Sequence, residues 1–154
     1  MKKILTAICS LSVLVFSADC LAQTITCGSK KYPKTVTAPD SWEAKGGAAC
    51  TIVNKNTHEI FSIMFVDNLF DSTAKQWAEE SIKQVDPSNV VSYKDEGDNQ
   101  LVFTNDGTMY SIVRYVKEKK HMAVMTAGGP SNVDQTEAEA IVRSVAPAPE
   151  APAE

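Results

Sequence analysis

The chain has 154 residues, with 15 Lys and Arg against 19 Asp and Glu, for a net charge of −4. That length fits one domain. The mild acidic balance excludes a polyanion-binding surface, so nucleic acid is not an expected partner.

Met1-Lys2-Lys3 precedes the apolar run Ile4 to Phe16. A positive pair followed by about 13 apolar residues matches a secretory leader, and the run is short of the roughly 20 residues that span a bilayer. Cys20-Leu21-Ala22 offers small residues one and three places before a cut, so residues 1–22 are expected to leave as a signal peptide. A lipid on Cys20 is the alternative, disfavoured by the charged Asp19 beside the thiol. Losing Lys2, Lys3 and Asp19 with the leader leaves 132 residues and a net charge of −5. No stable membrane span is then expected, and the destination is the periplasm or the exterior.

Cleavage also removes Cys9 and Cys20 and leaves Cys27 and Cys50. Two thiols in an exported chain are expected to pair. The absence of C-x-x-C speaks for a structural bond rather than redox chemistry. Residues 23–36 read as an N-terminal arm in which Lys30-Lys31-Tyr32-Pro33-Lys34 is solvated, and residues 28–47 show no sustained period.

From there the pattern sharpens. Residues 48–55 and 58–66 read as two β-strands around the turn Asn54-Lys55-Asn56-Thr57. Ala74, Trp77, Ala78, Ile82 and Val85 then fall on one helical face, with Asp71 or Ser72 as N-cap, Trp77 as a core anchor and Asp86-Pro87 as the stop. Residues 89–94 and 100–105 are strands on either side of the acidic turn Asp95 to Asn99. Asp106-Gly107 suits a two-residue type I′ hairpin into TMYSIVRYVK, and Glu118-Lys119-Lys120 turns the chain into HMAVMTAGG. A last helix is expected from a Thr136–Glu139 capping box, with Ala138, Ile141, Val142 and Val145 on one face and Pro147 ending it. The Ala/Pro-rich residues 147–154 read as a disordered tail.

The order β-β-α-β-β-β-β-α predicts an α+β domain over 37–146, an antiparallel β-sheet meander packed against two α-helices. Pro39-Asp40-Ser41-Trp42 opening the domain, the helix after the first hairpin, the meander and the final Ile141-Val142-Arg143-Ser144-Val145 resemble the PsbP-like family, including its DcrB-type envelope relatives. The resemblance implies a PsbP-like fold and a protein that binds other proteins without catalysis.

The chemistry-bearing residues point the same way. His58 and His121 lack partners at metal-ligand spacing, and H-E-x-x-H is absent, so no metal and no cofactor is expected. Gly128-Gly129-Pro130-Ser131-Asn132 does not fit the G-x-S-x-G elbow of hydrolases; its glycines let the chain turn out of a strand, and the segment is a candidate cleft border. Asp95, Glu96, Asp98 and Asn99 miss the calcium-loop spacing. The expected function is that of an exported, non-catalytic binding or interaction protein of the bacterial cell envelope, whose partner is an envelope protein or, in an immunity-type role, an incoming toxin. The alternative is a carrier of a small apolar ligand in a pocket lined by Met64, Phe65, Phe103, Met122 and Met125.

Overall fold

The computed structural model describes residues 22–29, 32–45 and 50–148. The expected leader, apart from Ala22, and the tail after residue 148 lie outside the described residues. In chain order the elements are β1 Ala22–Ser29, β2 Tyr32–Pro39, β3 Trp42–Lys45, β4 Cys50–Asn54, β5 Ile60–Asp67, α1 Ala74–Lys83, β6 Val90–Glu96, β7 Asn99–Asn105, β8 Met109–Glu118, β9 His121–Pro130, α2 Thr136–Ser144 and β10 Ala146–Pro147.

Two antiparallel meanders, β3-β4-β5 and β9-β8-β7-β6, join through the β5–β9 pair into a seven-stranded sheet. Side chains alternate across this sheet, so β5, β7, β8 and β9 each divide between two cores. Ile52, Phe61, Ile63, Leu101, Phe103, Tyr110, Ile112, Ala123 and Met125 face α2 and a small second sheet. Val102, Tyr115, Met122 and Val124 face Ala74 and Ala78 of α1. Burying a side chain such as Phe61, Leu101 or Ile112 completely stabilises the fold by about 1.5–3 kcal/mol each. The result is the α+β class expected from the element order.

The segment read as a solvated arm is the main correction. β1 and β2 pair over their full length, and β10 adds to the other edge of β2, giving a three-stranded sheet β1-β2-β10. Lys34, Val36 and Ala38 of β2 are buried against the main sheet, and Trp42 of β3 is buried with its Nε1–H donated to Glu137 at 3.1 Å. Lys34 enters this interface because it pairs with Glu118 and lies 6.0 Å from the centre of the Phe65 ring. Cys27 of β1 is bonded to Cys50 of β4, which ties the small sheet to the large one. Pro147, read as part of the tail, pairs with Lys34.

Local chemistry moves several boundaries. The N-cap of α1 is Thr73, whose side chain accepts from the Gln76 amide while Gln76 accepts from the Thr73 amide. At α2 the expected capping box does not form: Gln135 is the N-cap, and Glu139 instead accepts from Arg143 and Lys94. The loop after β7 is not a two-residue type I′ turn. It spans the four residues between the paired Asn105 and Tyr110, and only Gly107 has a positive φ, 88°. Asp106 organises it by accepting from the amides of Thr108 and Met109, both at 2.8 Å.

Candidate functional site

α1 covers β7 and β8 and leaves a groove along its flank. A cavity of about 590 Å³ opens there between the helix, the outward side of β5 and the loop from β5 to α1. Its floor is Met64, Val66, Tyr115 and Val124, its helical wall is Gln76, Trp77, Glu80, Ser81 and Gln84, and its lip is the loop Asp67 to Ser72. Burial pushes the pKa of the Tyr115 hydroxyl up, against a hydrogen bond with Ser81 that acts the other way, so the phenol stays neutral on the floor.

The lip is held in shape from within. Asn68 is buried and clamps Ser72 both ways, its Oδ1 accepting from the Ser72 amide at 2.9 Å and its Nδ2 donating to the Ser72 carbonyl at 2.7 Å. Asp71 adopts a φ of 54°, and Lys117 pairs with its carboxylate at 2.7 Å. This clamp turns Leu69 and Phe70 outward, where they are 84% and 92% exposed. Met64 beside them is 58% exposed. Such a concentration of large apolar side chains on a fixed loop at the mouth of a cavity is the mark of a binding surface.

A second cluster lies at the end of the interface between the two sheets. The Tyr32 hydroxyl and His121 Nε2 form a hydrogen bond, and His121 Nδ1 lies 2.9 Å from Asp67. Tyr32 also stacks on Phe65, with ring centres 5.1 Å apart. Asp67 is therefore shared: one side meets His121, and the residue also lines the groove. Hydroxyl, imidazole and carboxylate stand in an order known from activated nucleophiles, but here each comes from a different strand and the chain bolts β2 to β5 and β9. Among the described residues no group of three His, Cys, Asp or Glu side chains stands where it could hold a metal ion.

The residues singled out in the sequence distribute differently. Of the five proposed to line an apolar pocket, Met64 alone reaches the groove. Phe103, Met122 and Met125 are buried in the two cores, and Phe65 faces Tyr32 on the opposite side of the sheet. Gly128, Gly129 and Pro130 close β9, and Ser131 and Asn132 follow; none of the five lines the groove. Gly129 is needed for packing, since a Cβ there would sit 2.6 Å from Cγ of the buried Glu59. That carboxylate accepts from the Tyr110 hydroxyl and from Thr57. Trp77, read as a core anchor, does pack on the α1 core but also forms groove wall. Leu69 and Phe70 were missed; an adjacent apolar pair between Asp67 and Asp71, out of step with both flanking elements, was the available signal.

No protein-family model and no curated protein matches the chain. Solved structures of similar fold include the following two. One is cyanobacterial PsbP (CyanoP) from Synechocystis sp. PCC 6803, at 10% identity and a TM-score of 0.54, covering 83% of this chain and 94% of that one. The other is a protein of Bacteroides thetaiotaomicron VPI-5482, at 15% identity and a TM-score of 0.51, covering 76% of this chain. This chain spans about half, 46%, of the length of the Bacteroides protein. At such identities the likeness is one of architecture, and what it establishes is that the seven-stranded sheet with its two helices is a PsbP-like fold.

Proposed function

We propose that this chain is an exported, non-catalytic binding protein of the bacterial cell envelope that engages a partner protein, of the envelope or an incoming toxin, through the groove beside α1. The observation that carries this reading is the outward placement of Leu69 and Phe70 at the mouth of that groove. Side chains this exposed add nothing to the core, yet the Asn68 clamp holds them in place. Apart from Asp67 and Glu80 the groove lining is uncharged, and Met64, Val66, Leu69, Phe70, Trp77 and Val124 give it the apolar character of a contact surface. The Cys27–Cys50 bond fits a compartment where thiols oxidise. Among the described residues no helix is long and apolar enough to cross a membrane.

The test is photo-crosslinking in envelope extract with a crosslinking side chain at Gln84, in the natural background and in Leu69→Ser/Phe70→Ser. Because both residues are exposed, the double variant should unfold within about 0.5 kcal/mol of the parent. A specific crosslinked partner that disappears in the variant is expected. Equal crosslinking in both, or none in either, would remove the groove from consideration. A second reading is favoured by the cavity volume alone, which lies in the range of small-ligand sites. Native mass spectrometry decides it: extra bound mass that the double variant loses supports a carrier of an apolar ligand.

A further inference from the structure

The charge around the groove narrows what it accepts. Its lining holds two carboxylates, Asp67 and Glu80, and no basic side chain. Residues 67 to 83 together carry Asp67, Asp71, Glu79 and Glu80 against Lys75 and Lys83. Three nearby lysines are engaged, Lys83 with Glu80 at 2.6 Å, Lys75 with Asp95 at 3.0 Å and Lys117 with Asp71 at 2.7 Å, and Lys119 and Lys120, in the β8–β9 turn whose Lys120 carbonyl accepts from the Asn68 amide, lie outside the groove lining. Asp67 meets His121, but its side chain is 74% exposed and open to the groove side. Glu80 and Lys83 are both about two-thirds exposed, and a pair of that kind is worth little, so an incoming cation displaces Lys83 at small cost.

Apolar and acidic features therefore share one groove. Its length along α1 and the projection of Leu69 and Phe70 beyond the lip call for an occupant larger than a buried small molecule. An anionic bilayer is a poor fit, because the carboxylates beside Leu69 and Phe70 would be pressed against headgroups of the same sign.

We infer that the groove binds a segment of a partner protein in which adjacent apolar side chains are flanked by lysine or arginine. This rests on the binding reading above and adds the chemistry of the partner. The apolar side chains cover Leu69, Phe70 and Met64 and lie against Trp77 and Tyr115. The basic groups take Asp67 and Glu80 at the rim, and opposite charge there selects the partner and speeds encounter.

Panning a random peptide library displayed on phage against the purified protein tests it. Enriched peptides should carry apolar pairs flanked by Lys or Arg. A fluorescein-labelled enriched peptide, followed by anisotropy, should bind about fivefold more weakly to Asp67→Asn/Glu80→Gln, progressively more weakly as salt rises, and not at all to Leu69→Ser/Phe70→Ser. Peptides without a basic excess, or an affinity indifferent to the carboxylate variant, would overturn the inference; loss on the Leu69→Ser/Phe70→Ser surface would then still uphold the binding reading. Peptides indifferent to both variants, or no enrichment, would overturn it together with the groove. Phe70-dependent sedimentation with phosphatidylglycerol vesicles would also refute it, by showing that the lip faces lipid.

Discussion

The Cys27–Cys50 bond offers a quantitative test, because it joins covalently two sheets that otherwise meet through packing, the Lys34–Glu118 pair and the Tyr32–His121 hydrogen bond. The half-cystines are 23 positions apart, with Cα atoms 5.0 Å apart. Closing a loop of that size lowers the entropy of the unfolded chain by an amount worth about 3.4 kcal/mol at room temperature. Cys50 is buried and Cys27 packs against the same core, so replacing both by alanine also removes two small apolar groups. The Cys27→Ala/Cys50→Ala variant should therefore lose about 3–4 kcal/mol, a drop of roughly 10–15 °C in Tm for a domain of this size.

Urea unfolding followed by tryptophan fluorescence reports on the right place, since Trp42 is fully buried between the sheets. Two signatures should accompany the lower midpoint. The m-value should rise, because the uncrosslinked unfolded chain exposes more surface. Amide exchange should accelerate first in β1, which is the outer strand of the small sheet and pairs with β2 alone. A loss below about 1 kcal/mol, with protection in β1 unchanged, would refute the reasoning. It would mean that the contacts of β2 hold the small sheet unaided and that the unfolded chain gains little freedom from the missing bond.

Further outcomes follow from single features. In Gly129→Ala the new methyl would collide with Glu59 and push its carboxylate from Tyr110 and Thr57; a destabilisation of about 1–3 kcal/mol in urea is expected, and an unchanged midpoint would contradict that packing. Lys119 begins the β8–β9 turn with a φ of 53°, so Lys119→Gly should raise stability by about 1 kcal/mol; a lower Tm would show that the lysine side chain contributes more than its backbone costs. The Arg143 hydrogen bond holds Glu96 below the ordinary carboxylate range; burial pushes Glu139 up, but Arg143 and Lys94 outweigh it; and the amides of Met109 and Thr108 hold Asp106 down. Groups lowered in the folded state bind fewer protons than in the unfolded chain, so their contribution is complete above about pH 4.5 and drains as pH falls through the folded values. Urea midpoints should be level from pH 7 to about pH 5 and fall below pH 4, and Arg143→Met should flatten that fall; an unaltered acid slope would exclude this ion-pair cluster as its source.

The meander was legible because β4, β5, β7, β8 and β9 are runs of apolar and β-branched residues separated by turn residues, and two-sided burial leaves little else they can form. β2 was not, although Tyr32, Lys34, Val36 and Ala38 alternate with Pro33, Thr35, Thr37 and Pro39 in strict period two. The inward lysine disguised the pattern, since only Glu118, 84 residues later, makes that position tolerable. Capping was misjudged for a related reason: Glu139 has two cationic partners from other parts of the fold, and they outcompete a local amide. The Tyr32–His121–Asp67 chain could not be read at all, because its members come from three strands and the Tyr32–His121 bond closes a separation of 89 residues.

The groove itself follows from a mismatch of sizes. Seven strands spaced about 4.8 Å apart make a sheet roughly 29 Å wide, whereas a ten-residue helix such as α1 is about 15 Å long and about 10 Å across. On the opposite face the deficit is made up by α2 and the small sheet together. Among the described residues nothing else is added on the α1 face, and a strip over β5, β9 and the start of β8 is left uncovered by them. Much of that strip is polar, with Ser62, Thr126 and Ser111 pointing outward, as folding alone would require. The apolar exceptions are Ile60 and Met109, each about half exposed at one end of the strip, and at the flank of the helix Met64 on the strand with the far more exposed Leu69 and Phe70 on the loop. Folding gains nothing from leaving these side chains in water, and serine or threonine at 69 and 70 would serve the loop as well. Their presence is explained by what they touch when the groove is filled, which is why their replacement should spare stability and abolish binding.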